Sequence, residues 1–292
     1  MTGLSERRAA GTQPRPAREQ RVPALMYHEI TTEPLLPGHL AVSPAHFAEH
    51  IGYLAGGRYT TLRAADLARL RQQGESLPPS PVLLTFDDGF ADVHERALPL
   101  LAGRGIAATL YVTTGWISDG KGPRAAARQP ATSLPDTGML SWGQIGEIAA
   151  AGIEIGAHTR THPQLDQLDP SALHRELTGS KHELEDQLGV AVTGLSYPYG
   201  YSSRRVRAAA HAAGYSYALA VGNRLIRGAD DQFALPRLTM GRSTGLPDFA
   251  RIVRGGRLPA EYALYRALTA GWSVVRRARS TLNRPEQHRN DV

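Results

Sequence analysis

From residue 22 onward this 292-residue chain alternates short apolar runs with stretches of helical period, and that rhythm constrains the fold more than any other feature. Runs at 22–27, 59–62, 82–86, 107–112, 153–157, 194–197, 217–221 and 234–238 read as strands. The helical patterns between them begin with Ser43-Pro44, an N-cap and first-turn proline ahead of Phe47, Ile51 and Leu54. Further helices are expected at 64–71, at 90–102 despite Pro99, after the Ser141/Gln144 capping box, over 169–189 and over 203–213. The 82–86 run is continuous instead of alternating, as in a strand covered on both faces. Strands joined by helical crossovers pair in parallel, so the chain should form an α/β barrel, with an open doubly wound sheet as the alternative.

Polar residues fall at the carboxyl ends of these strands. His28, Asp87-Asp88, His158, Pro198-Tyr199 and Arg237 each do so, and in a parallel barrel that end collects functional side chains. There is no cysteine, so any metal must rest on His, Asp or Glu.

Asp87 and Asp88 are consecutive, and their side chains diverge in an extended strand. A bend at Gly89 lets both serve one site, one as a ligand for a divalent cation and the other as an ionised proton acceptor; an ordinary Asp-Asp-Gly turn is the plainer reading. His158 and His162 are four apart in a loop closed by Pro163. Two imidazoles and a carboxylate make a three-ligand centre with positions left for water and substrate. Tyr197-Pro198-Tyr199-Gly200 is a stiff aromatic turn that can present the Tyr199 N–H to a developing oxyanion. His28, ending the first strand, is the candidate to protonate a leaving amine.

At these residues the chain resembles the polysaccharide deacetylases (the NodB-homology domain, carbohydrate esterase family four). Thr85-Phe86-Asp87-Asp88-Gly89, His158 through Pro163 and Tyr197 through Gly200 look like the first three motifs of that family, over about 22–250. The resemblance implies a distorted (β/α) barrel of about seven parallel strands, similar to a TIM barrel, here at 21–257. It also implies Asp87 as base, with Asp88, His158 and His162 holding a divalent metal, most often zinc, with cobalt, nickel or ferrous iron as alternatives. The expected activity is removal of acetyl groups from an N-acetylated glycan or polysaccharide, releasing acetate.

Two departures stand out. Ser196 occupies the place of the arginine that usually tethers the base, and Arg237 is expected to reach Asp87 instead. No histidine lies between His211 and His288, where the family's late catalytic histidine would fall. The Met26-Tyr27-His28 start resembles the subgroup acting on poly-N-acetylglucosamine exopolysaccharide, in which the acid histidine lies near the N-terminus. Rival readings are a non-haem iron oxygenase, an inactive carbohydrate-binding relative and a deacylase of small or O-acetylated substrates.

The net charge of +6 is uneven. Residues 1–21 carry +3 and residues 251–292 carry +6, so the body between them is at −3. Basic tails on a mildly acidic body argue against a nucleic-acid cleft. Residues 1–20 read as a disordered tail. Residues 258–292 read as a basic amphipathic helix and tail, with Leu264, Leu268, Trp272, Val275 and Leu282 as its stripe; it either packs on the barrel or lies peripherally on a membrane. With no apolar segment behind the N-terminal arginines, a cytoplasmic location is expected. Oligomeric state leaves no mark in the sequence.

Overall fold

The computed structural model describes residues 21–34, 39–119 and 138–263. Strands β1 (Ala24–Tyr27), β5 (Pro81–Phe86), β6 (Thr109–Val112), β7 (Glu154–Ala157), β8 (Gly194–Ser196), β9 (Tyr217–Val221) and β10 (Leu235–Thr239) pair in that order, all parallel. The ring closes because β1 pairs with β5 on one side and β10 on the other: Tyr27 lies opposite Phe86, and Leu25 opposite both Leu84 and Leu238. This is the closed seven-stranded barrel, and the open-sheet alternative falls. An eighth parallel strand, β4 (Thr60–Leu62), borders only the first half of β5, and β6 takes over that edge from Thr85 onward. A two-residue pair, β2 (Glu29–Ile30) with β3 (Ala41–Val42), follows β1.

Helices α1 (Pro44–Gly56), α2 (Ala64–Gln73), α3 (Leu98–Ala102), α4 (Trp142–Ala150), α5 (Pro170–Leu188), α6 (Arg204–Ala212) and α7 (Leu246–Val253) cover the outside. Their starts follow the sequence signals. Ser43, Asp169 and Ser203 accept from backbone N–H groups in the first turn, and Ser141 and Gln144 make the reciprocal box. Helix α7 is absent from the sequence reading, although Pro247 and Asp248 mark its first turn. It docks on α1 by stacking Phe249 on His50, centroids 4.0 Å apart and 5° from parallel. His50 accepts from the Tyr27 hydroxyl at Nδ1 and donates from Nε2 to the Thr244 carbonyl; burial lowers its pKa to about 4, so it is a neutral core histidine.

One expected helix is not continuous. Residues 93–97 form a π-helical turn before α3, and the Leu98 N–H bonds to Val93 O. Pro99 has no N–H to give residue 95 and its ring crowds that carbonyl, so the wider register precedes it.

The barrel interior is filled. Tyr111 and Tyr217 meet hydroxyl to hydroxyl at 3.1 Å, and Tyr217 donates to Glu154 at 2.6 Å. Gly156 leaves room for the Tyr111 ring, which a Cβ there would approach to 2.5 Å; Gly194 does the same for Tyr217. Arg237 lies in the middle of β10, not at its end as the sequence suggests, and its guanidinium stands 5.8 Å over Tyr111. The sequence also reads 118–138, rich in Gly, Pro, Arg and Ala, as a loop inserted near the active face; its flanks meet beside Gly89, through Ser118 N–H to Leu140 O and Leu140 N–H to Gly89 O. Most of that loop, the 1–20 tail and nearly all of the expected C-terminal helix lie outside the described residues. No helix among the described residues is long and apolar enough to cross a membrane.

Candidate metal centre and active site

Asp87 and Asp88 leave β5 at the carboxyl face. Asp88 takes φ 74° and Gly89 φ 95°, and this turn brings both carboxylates to one site. Left-handed backbone in a non-glycine residue costs about 1–3 kcal/mol and persists only where the surroundings over-determine it. Thr159, His162 and Tyr199 share that conformation, so four of the six such residues among those described belong to the three motifs.

His158 follows β7. Its Nδ1 donates to the Ser196 carbonyl at 2.8 Å, which leaves the Nε2 lone pair facing the cluster. The loop then doubles back: His162 N–H bonds to Thr159 Oγ1 at 3.1 Å. Glu176 of α5 grips the intervening residues, accepting from Arg160 N–H and Thr161 N–H at 2.9 Å each and from Thr161 Oγ1 at 2.7 Å. As a result, the Nε2 atoms of His158 and His162 stand 3.3 and 3.4 Å from the same oxygen, Asp88 Oδ1. Candidate ligand atoms of the three residues all lie within 4.8 Å of one another. Asp88 Oδ1 is buried and accepts no hydrogen bond. A buried carboxylate oxygen without a donor, beside two inward-facing imidazoles, fits a divalent cation.

Asp87 is held differently. Arg237 Nη1 donates to Oδ1 at 2.6 Å and Nη2 to Oδ2 at 2.7 Å, a bidentate pair in which both side chains are buried. Ser196 Oγ accepts from Arg237 Nη2 at 2.7 Å and donates to Asp87 Oδ2 at 3.2 Å. Thr85 Oγ1 accepts from Arg237 Nη1 at 3.1 Å and donates to the Leu25 carbonyl. Burial pushes the Asp87 carboxyl up, but Arg237 and then His158 outweigh it, leaving its pKa below the ordinary value. Burial also opposes ionisation of Asp88, and the close His158 and His162 imidazoles overcome it. Burial lowers His162 to about 4.

His28 belongs to this group: Asp88, Asp87, Arg237 and His158 all act on it electrostatically. Burial lowers its pKa against the pull of the two carboxylates, and its Nδ1 is buried without a partner. The segment that follows His28 is clamped from the π-helical side. Ile30 N–H donates to Asp92 Oδ2 at 2.7 Å, and Arg96 Nη1 donates to Ile30 O.

Tyr199 lines the rim, with 48% of its surface exposed. Its ring stands edge-on to His162 at 4.7 Å, and the Trp116 ring lies tilted against the same imidazole at 4.9 Å. The Tyr199 N–H takes no part in the bonds closing its turn, which run from Gly200 N–H to Tyr197 O and from Tyr201 N–H to Pro198 O. The sequence places Thr85 in a motif without a role of its own, and Trp116 and Glu176 go unremarked there. Trp116 could have been found as an aromatic just past a strand end; Glu176 carries no local signal.

Fold and cluster together define a seven-stranded (β/α) barrel with a candidate divalent-metal centre at its carboxyl face. Residues 74–218, just under half of the chain, match the family model of polysaccharide deacetylases, so the chain carries a domain of that family, whose members use a divalent metal. YxkH of Bacillus subtilis (strain 168), provisionally named a polysaccharide deacetylase, is 29% identical over 195 residues, 67% of this chain and 62% of its own. The poly-beta-1,6-N-acetyl-D-glucosamine N-deacetylase of Escherichia coli (strain K12) is 24% identical over 138 residues, 47% of this chain and 20% of that protein. This chain therefore spans less than two thirds of either curated relative. The structure of the Streptococcus pyogenes deacetylase PplD in complex with acetate superposes with a TM-score of 0.70 at 23% identity, covering 82% of this chain and 99% of that one, and shares the fold.

Proposed function

We propose that the protein is a metal-dependent deacetylase that hydrolyses the N-acetyl group of an amino sugar in a polysaccharide or glycan precursor. The observation that carries this reading is the division of labour between two adjacent carboxylates. Asp88 faces two histidines with a donor-free oxygen, whereas Asp87, one residue away, accepts three bonds from Arg237 and Ser196, which hold it ionised and leave one Oδ1 lone pair open. Oxidation at ferrous iron needs no such base, whereas hydrolysis does.

Asp88, His158 and His162 would hold the cation, zinc being the choice for two imidazoles and one carboxylate. When bound, it supplies Lewis-acid polarisation of the acetyl carbonyl and an acidified water. Asp87 takes the proton of the attacking water, and the Arg237 fork fixes which lone pairs face it. The Tyr199 N–H donates to the carbonyl oxygen as negative charge develops there. His28 delivers a proton to the sugar nitrogen as the carbon–nitrogen bond breaks. Water adds to the acetyl carbon, and acetate and a free amine leave. The Trp116 and Tyr199 rings pack against His162 and restrict its rotation.

The relation to the E. coli enzyme makes β-1,6-linked N-acetylglucosamine oligomers the first substrate to try. Acetate release that stops on chelation and returns with zinc is the expected result. No release from these or other N-acetylated glycans by the metal-loaded protein would overturn the assignment.

A further inference from the structure

The end of the barrel opposite the candidate site is strongly cationic. Arg21 lies three residues before β1, Arg58 precedes β4, and Arg254 and Arg257 follow α7 where it returns to the amino-terminal side of the strands. Paired hydrogen bonds between Val22 and Ile226, at 3.0 and 2.9 Å, pin Arg227 to the same end.

Two clefts that share Arg21 open there. One, of about 860 Å³, is walled by Arg21, Arg224, Arg227, Arg251 and Arg257. The other, of about 680 Å³, adds Arg58 and Arg254. Arg224 is neutralised by Asp230 and Arg251 by Asp248, while Arg254 bonds to the Tyr53 hydroxyl. Arg21, Arg58, Arg227 and Arg257 are exposed and form no ion pair among the described residues. The lining between the arginines is apolar: Leu225, Leu258, Pro259 and Ala263 in the larger cleft, and the Tyr53 and Tyr59 rings in the smaller. Residues 22–250 total −3 although they include Arg58, Arg224 and Arg227 of this pole.

We propose that this pole is a docking surface for a bilayer bearing anionic phospholipid headgroups. Cations set around apolar lining fit a surface with phosphate outside and hydrocarbon beneath. A nucleic-acid backbone offers phosphate without the apolar layer, so it matches only half of the surface. The attachment points agree. Residues 1–20, net +2, join the chain at Arg21, and residues 264–292, net +4, join it at Ala263, both at this pole. Docking here turns the carboxyl face, with Asp87 and Asp88, away from the bilayer and leaves it open to a glycan.

The test is co-sedimentation of the full chain with vesicles of mixed phosphatidylglycerol and phosphatidylcholine, against pure phosphatidylcholine. Binding to the anionic vesicles alone, weakened by salt, is expected. A variant carrying Arg21→Gln, Arg58→Gln, Arg227→Gln and Arg257→Gln should bind ~600-fold more weakly at an unchanged melting temperature, because each arginine near the surface contributes roughly a fivefold factor. Wild-type affinity in this variant would assign binding to the tails and overturn the proposal. So would saturation by inorganic phosphate at the vesicle-phosphate concentration, which marks a free-phosphate site. Tighter binding to duplex DNA than to the vesicles would overturn it as well. A single conservative variant, Arg227→Lys, should retain vesicle binding within about twofold, since charge and not fork geometry is what a headgroup layer reads.

Discussion

Arg237 and Asp87, 150 residues apart in sequence, form a two-bond ion pair of 2.6 and 2.7 Å towards the carboxyl end of a closed barrel, with the arginine fully buried. The tether that the first sheet motif needs thus comes from the strand that closes the ring, and Ser196 fills the space between the two.

Removing the arginine leaves a buried carboxylate without its charge partner. Arg237→Ala is expected to lower kcat by at least ~10²-fold, as for a displaced reacting group, and to destabilise the fold by about 3–5 kcal/mol. The acid limb of kcat should also move to higher pH, because the cation that lowers the Asp87 pKa is gone. A pH–rate profile with the limb unmoved would refute the tether. In a double-mutant cycle with Asp87→Asn, the losses should be strongly non-additive.

His28→Gln should cut kcat by about 10²–10⁴-fold while leaving metal affinity close to wild type, since His28 is outside the Asp88-His158-His162 cluster. An unchanged rate would remove His28 from the proton path. Loss of metal with the rate would instead make it a ligand.

The grip of Glu176 on the loop between the two histidines predicts an effect on binding without any contact to the metal. Glu176→Ala should weaken zinc affinity by about 10–100-fold, as supporting partners of ligating histidines do. Glu176→Gln, which still accepts but has lost the charge, should lie between that variant and wild type. Isothermal titration with a competing chelator measures both.

Asp92 offers a test of stability against pH. Burial, opposed by the Ile30 N–H and aided by Glu29, raises its carboxyl from 3.8 to about 7. The folded chain therefore binds a proton there that the unfolded chain has released, so this contribution is fully present below pH 3.8 and is lost as pH rises to about 7. Asp92→Asn keeps an acceptor for Ile30 and carries no charge. Its melting temperature should exceed that of the wild type at pH 8, and the two should converge near pH 4. Parallel curves across that range would show that Asp92 titrates normally.

The barrel was legible in the sequence because its strands are short, apolar and punctuated by capping residues that act locally, such as Ser43, Ser141 and Asp169. The strand-end positions of Asp87, Asp88, His158 and Tyr199 followed from the same pattern. Other features depend on contacts that no local pattern records. Glu176 meets the histidine loop only because α5 folds back across it, and Pro99 shifts one turn of helix into π register because it cannot donate. Arg237 reads as a strand-end residue until β10 is seen to continue to Thr239, which turns its side chain into the interior.

Because β10 both seals the ring against β1 and delivers the partner of Asp87, closure and charge compensation are a single event. A nascent chain emerging from the ribosome as far as Val221 already carries Asp88, His158 and His162, yet Asp87 has no counter-ion until some sixteen more residues are translated. The candidate base is therefore assembled last, and a prematurely terminated product would retain metal ligands without a competent proton acceptor.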